Sequence, residues 1–137
     1  MIHLAPYLNF NGKCTEAMEF YKSCLGGELQ LQKISDSPMA EQFPEDQRDG
    51  ILHAMLTSDA ITIMATDAGM PGAETGVDNF SLCLFGDDEQ KTTQYFDALS
   101  DGATINEKLS KAPWGDIFGS LTDKFGKNWM FNCSPKS

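Results

Sequence analysis

A chain of 137 residues, 41% apolar and 22% charged, has the size and composition of one ordinary globular domain, so neither a second independent domain nor a disordered chain is expected. Twenty acidic residues against ten Lys and Arg leave a net charge of −10, a potential that repels phosphate backbones and anionic headgroups and so excludes nucleic acid and membrane as partners. No apolar run approaches the ~20 residues of a spanning helix and no charged segment followed by an apolar one opens the chain, so the expected location is the cytoplasm.

The opening HLAPYLNFNG alternates Leu8 and Phe10 with Asn9 and Asn11 and ends in Asn11-Gly12, the pattern of a strand closed by a turn. From Thr15 the period changes. Ala17, Tyr21, Cys24 and Leu25 fall on one face of an amphipathic helix that Gly26-Gly27 stops. ELQLQKIS alternates imperfectly and predicts a partly exposed strand, followed by an acidic, Pro-punctuated loop from Asp36 to Gly50. ILHAML and ITIMAT, separated by Ser58-Asp59-Ala60, predict a hairpin, and a Gly- and Pro-rich loop runs from Asp67 to Asp78.

FSLCLF starts the same plan again. Gly86-Asp87-Asp88 leads into a helix carrying Tyr95, Phe96 and Leu99, which stops at Asp101-Gly102, and ATINEKL, GDIFGSLTD and KNWMFNC predict three further strands. At a constant offset of 75, Phe10 meets Phe85, Phe20 meets Tyr95, Tyr21 meets Phe96, Cys24 meets Leu99 and Gly27 meets Gly102. This predicts an α+β fold of two βαβββ modules, with halves of about 1–68 and 78–135, in one domain spanning 1–137. Each curved sheet would be covered by a helix on one side, and the concave sides would enclose a ligand cavity.

Three segments, PYLNFNGKCTEAMEFYKSCLGGEL, LHAML with ITIMATDA, and APWGDIFGSLTDKFGKNWMFNC, resemble the vicinal oxygen chelate superfamily, the glyoxalase and bleomycin-resistance fold. Within it the chain is similar to the PhnB-like branch, also called 3-demethylubiquinone-9 3-methyltransferase-like. The name of that branch does not imply methyl transfer here, because the chain has no glycine-rich strand-to-helix loop suited to a nucleotide-containing cofactor. The resemblance implies that metal-using relatives hold a divalent ion on His, Gln or Glu side chains at the first and last strand of each half. The matching positions here, Ala5 or Pro6, Phe80, Met64 and Met130, are apolar, so neither a metal nor another cofactor is expected.

Among single residues, His53 in ILHAML is the candidate acid or base, because imidazole exchanges protons near neutrality. Asp67 and Asp116 are placed to reach a pocket mouth, and Met64, Phe80, Trp114, Phe118 and Met130 to line an apolar pocket. Each has a structural counterpart reading as a core, turn or capping residue. The four cysteines, Cys14, Cys24, Cys83 and Cys133, form no C-x-x-C pair and read as reduced packing residues.

The expected function is that of a metal-free small-molecule-binding protein or an enzyme of unidentified reaction, working as a homodimer. A ligand-sequestering role, as in bleomycin-resistance relatives, would favour cationic ligands because of the negative charge. The alternative is a metal-dependent lyase or dioxygenase whose donors include His53 and Asp67.

Overall fold

The alternating segments become strands and the two amphipathic segments become helices in a computed structural model of the chain, which describes residues 3–68 and 80–135. Contacts divide it into two compact units, Met1–Gly76 and Val77–Ser137. The predicted loop from Asp67 to Asp78 lies outside the described residues beyond Ala68.

The first unit runs β1 (Tyr7–Asn9), α1 (Cys14–Leu25), β2 (Glu28–Lys33), β3 (Ile51–Ser58) and β4 (Ile61–Thr66). Its sheet has the order β1-β4-β3-β2; β1 runs parallel to β4 and the other pairs are antiparallel. The second unit repeats the plan with β5 (Leu82–Gly86), α2 (Glu89–Leu99), β6 (Thr104–Lys111), β7 (Ile117–Thr122) and β8 (Asn128–Cys133), in the order β5-β8-β7-β6. The two-module α+β architecture read from the sequence is therefore present. The predicted acidic loop carries three short 3₁₀ turns within 34–47, tied down by hydrogen bonds from Ile34 N–H to the Gly50 carbonyl and from Ser35 N–H to the Arg48 carbonyl.

In each unit the helix covers one face of the sheet. On α1 the buried residues are Cys14, Ala17, Met18, Tyr21 and Leu25, spaced to form a single stripe. Cys24, expected on that stripe, lies at its margin and is half-buried, while Met18 takes the central place. The stripe rests on the sheet face formed by Leu8, Ala54, Leu56, Ile63 and Ala65, all buried. In the second unit α2 packs on β8, with Phe96 and Leu99 buried on the helix and Trp129, Phe131 and Cys133 buried on the strand, and the Phe96 and Phe131 rings pack edge to face at 5.1 Å. Gly119 lets this happen: a Cβ there would lie 3.0 Å from both Phe96 Cε2 and the Leu109 backbone.

The constant offset of 75 holds in the helices and their stops, where Tyr21 and Phe96 are both buried and Gly27 and Gly102 both have positive φ. It fails in the first strands. Phe10 is buried just after β1, whereas Phe85 lies inside β5 and is 82% exposed. The counterpart of Leu8 is the half-buried Leu84, one residue further along: Leu8 pairs with Ala65 and Leu84 with Phe131, all on the helix side. The cause is the strand-to-helix connection, which takes residues 10–13 in the first unit but only 87–88 in the second.

Those connections cap the helices differently. Asp88 caps α2 locally, its carboxylate accepting from the Lys91 N–H at 3.0 Å. Lys13 supplies no side-chain cap to α1. Instead Asp67, just after β4, accepts from Gly12 N–H at 2.7 Å and Cys14 N–H at 2.9 Å with Oδ1, and from Ile51 N–H at 2.9 Å with Oδ2. Charge-assisted bonds of this kind contribute about 1.5–3 kcal/mol each when their donors have no substitute. Replacing Asp67 by Ala is expected to lower stability by about 3 kcal/mol, read as a shift of the urea midpoint in far-UV circular dichroism with an unchanged slope. A loss under about 1 kcal/mol would mean that water replaces the carboxylate freely.

Candidate functional site

The face of each sheet turned away from its helix is the place where side chains are not consumed by the core. In the first unit the register sets Tyr7, Met64, Met55 and Gln30 in one row across β1, β4, β3 and β2. Next to it, Asn9 pairs with Thr66 on β1 and β4, and His53 pairs with Gln32 on β3 and β2. Tyr7 is 47% exposed, and His53, Met55 and Met64 are half-buried. The Tyr7 hydroxyl lies 3.1 Å from His53 Nδ1, with ring centroids 5.8 Å apart. Tyr7 and His53 thus form a polar pair set diagonally across the sheet against two thioethers.

In the second unit the corresponding rows are Cys83, Met130 and Ser120, then Phe85, Asn132 and Phe118. Trp114, in the loop before β7, packs edge to face on Phe118 at 5.8 Å yet remains 63% exposed. Met130 and Phe118 are half-buried, and Phe80, before β5, is 54% exposed with its carbonyl accepting from Asn128 Nδ2 at 3.4 Å. Asp116 is half-buried and accepts from Asn132 Nδ2 at 3.2 Å.

Of the residues singled out from sequence, His53 and Met64 share one sheet face in the first unit, each beside Tyr7, and Trp114 and Phe118 come together in the second, where Met130 shares the sheet face of Phe118. Both oxygens of Asp67 are engaged by backbone amides, so its charge serves the chain entry to α1 and β3. The sequence reading passed over Tyr7 and Cys83. Met64 pairs with Tyr7 and its N–H donates to the Pro6 carbonyl at 3.0 Å, and Met130 pairs with Cys83. Strict alternation from buried Leu8 would have placed Tyr7 and Asn9 on the outer face.

These rows suit a hard divalent cation poorly. Thioether sulfurs are soft donors. The phenol of Tyr7 is pushed up from its ordinary range, chiefly by burial and then by the neighbouring Cys14, and the thiol of Cys83 is pushed up by burial, so neither readily becomes the anion a metal would need. Among the described residues no group of three or more His, Cys, Asp or Glu side chains converges.

Cys14, at the first turn of α1, is fully buried, and its thiol is pushed up to about 12 by burial first and by the Asp67 carboxylate second. Its ordinary value is 9.0, so folding holds the proton that the unfolded chain begins to lose near that pH. A raised folded value adds stability that is complete below the unfolded value and disappears as pH climbs toward the folded one. Wild-type stability is therefore expected to fall relative to Cys14→Ala as pH rises above about 9, in urea titrations at matched salt. Parallel curves for the two proteins would contradict this.

The two tryptophans also separate core from surface. Trp129 is buried, and its indole N–H donates to the buried Asp123 carboxylate at 2.8 Å, whereas Trp114 stands largely in solvent. Trp114→Ala is expected to cost under about 1 kcal/mol and Trp129→Ala about 3–5 kcal/mol in equilibrium unfolding, and the reverse order would misplace both rings.

Residues 3–131 match the family model described as 3-demethylubiquinone-9 3-methyltransferase. The chain is 34% identical over 142 residues to protein YjdN of Escherichia coli K12, covering 94% of this chain and 93% of that protein. The crystal structure of protein PA1353 from Pseudomonas aeruginosa superposes with a TM-score of 0.85 at 35% identity, over 99% of this chain and 100% of that one. A putative 3-demethylubiquinone-9 3-methyltransferase, PhnB protein, from Bacillus cereus shares the fold at a TM-score of 0.73 and 23% identity, over 97% and 100% of the two chains. Solved glyoxalase/bleomycin resistance proteins share it at lower identity. With two repeated modules, a match along nearly its whole length and relatives on the same plan, the chain belongs to the 3-demethylubiquinone-9 3-methyltransferase family, on a fold it shares with solved glyoxalase/bleomycin resistance proteins.

Proposed function

We propose that this protein binds a small molecule with an apolar body, without a resident divalent ion, either to sequester it or to act on it as an enzyme. The observation that supports this reading is the composition of the outer sheet faces. Tyr7, Met55 and Met64 in one unit, and Cys83, Phe85, Met130 and Phe118 in the other, are thioether, thiol and aromatic groups left exposed or half-buried. Such side chains adapt to flat or greasy ligands and offer little to a hard cation. The family description names a methyltransferase, but a mixed sheet with strand-to-helix connections at 10–13 and 87–88 gives no glycine-rich cradle for a nucleotide-containing methyl donor.

Charge sets the second preference. With a net of −10, the protein attracts cations and tolerates neutral molecules, while an anion of equal shape meets repulsion. The proposal also includes a homodimer, supported by the open edges β2 and β6, which expose Leu31 and Ile105. A cytoplasmic setting is supported by four cysteines that are all free thiols. Among the described residues no helix is long and apolar enough to cross a membrane.

Three dyes of similar size test the reading: proflavine, a planar cation; N-phenyl-1-naphthylamine, neutral; and 1-anilinonaphthalene-8-sulfonate, an anion. The first two are expected to bind saturably, at least about tenfold more tightly than the anion at low salt, and Met64→Lys or Phe118→Lys should weaken whichever dye its face holds. Protein dialysed after exposure to Mg, Mn, Fe, Ni and Zn in turn is expected to retain well under one metal per chain. Failure of all three dyes to saturate would overturn the apolar site, and one retained metal per chain would overturn the metal-free reading.

A further inference from the structure

We infer that His53, held in one tautomer by Tyr7, is the specificity-determining group of the first unit's outer face and selects ligands carrying a neutral acceptor oxygen, such as a ketone, beside their apolar body. This rests on the proposed small-molecule function and names the substrate class for it.

The two groups share one hydrogen bond, 3.1 Å between Tyr7 Oη and His53 Nδ1. A phenol O–H is more acidic than an imidazole N–H, and an imidazole lone pair accepts more strongly than a phenol oxygen, so the favoured arrangement has Tyr7 donating to Nδ1. Burial raises the Tyr7 phenol and so keeps that proton on the oxygen. An Nδ1 engaged as acceptor puts the ring proton of neutral imidazole on Nε2. If the ring gains a second proton, Nδ1–H turns to donate to the phenol oxygen and Nε2 remains a donor. In both states the ring offers a ligand an N–H.

Nδ1 is the nitrogen nearer the backbone, so Nε2 is the one at the outer end of the ring. Tyr7 is the one hydrogen-bond partner of His53 among the described residues. The other polar groups of these rows are committed or peripheral. Asn9 Oδ1 accepts from Asn11 N–H, and the buried Thr66 hydroxyl donates to the Leu52 carbonyl at 2.7 Å. Gln30 and Gln32 stand exposed on the edge strand β2. Beside His53 lie Met55 and Met64, which provide contact area without direction. A ligand settling on this face that lacks an acceptor oxygen leaves the Nε2–H dry and unpaired, and that penalty is the source of selection. Tyr7 acts through His53 and is a positioning residue.

The test uses two probes of the same shape, 2-acetylnaphthalene and 2-ethylnaphthalene, titrated into the full chain, together with ¹⁵N NMR of the histidine rings. The ketone is expected to bind about tenfold more tightly than the hydrocarbon, with His53 showing a protonated Nε2 and an accepting Nδ1. His53→Leu should bring the two affinities together, and Tyr7→Phe should mix the tautomers and reduce the ratio to about two- or threefold with the fold intact by circular dichroism. Equal binding of both probes by the wild type, or a ring protonated on Nδ1, overturns the inference while leaving the apolar site standing. If neither probe binds, both readings fail.

Discussion

The carboxylate of Asp67 ties together the first unit. One side chain accepts from three backbone amides contributed by the turn before α1, the first residue of α1 and the first residue of β3. It therefore sets the entry of the helix and the start of a central strand relative to the end of β4. Without it, the first amides of α1 would need water at the edge of a buried stripe, a costly exchange beside the fully buried Cys14. The outer face inherits this order: Tyr7 is aligned by its pairing with β4, and His53 lies two residues into the strand whose first amide Asp67 holds.

Asp123 plays a comparable part in the second unit. It is buried and accepts from the Phe125 and Lys127 amides and from the Trp129 indole, closing the β7–β8 turn over the core. The repeated modules thus share a plan but not its fastenings. One uses a carboxylate distant in sequence to cap its helix, while the other caps its helix with the adjacent Asp88 and spends its buried carboxylate on a hairpin. Their outer faces diverge in the same way, with a Tyr–His pair on one and a thiol with aromatic rings on the other.

Much of this was legible in the chain. Alternation in ILHAML and ITIMAT marked the hairpin, and the Gly26-Gly27 and Asp101-Gly102 stops marked the helix ends, because local sterics and period determine those features. The strand register was not legible, since Phe10 and Phe85 look equivalent until the lengths of the connections after β1 and β5 are known. The capping role of Asp67 depends on amides at positions 12, 14 and 51, a convergence that only the fold creates. Trp114 drew notice through its place in APWGD, yet the core ring is Trp129, hidden in a strand whose alternation pointed it inward. Tyr7 was overlooked because its importance comes from a histidine 46 positions away.

The placement of the indoles has a spectroscopic consequence. Both tryptophans, Trp114 and Trp129, belong to the second unit, and the first unit has tyrosine as its only strongly absorbing fluorophore. Emission excited at the red edge, where tyrosine is dark, will follow the second module alone, with Trp129 supplying a blue component quenchable by its carboxylate neighbour and Trp114 a red, solvent-relaxed one. Far-ultraviolet signal follows both helices. Any gap between the two transitions would measure how independently the duplicated halves melt.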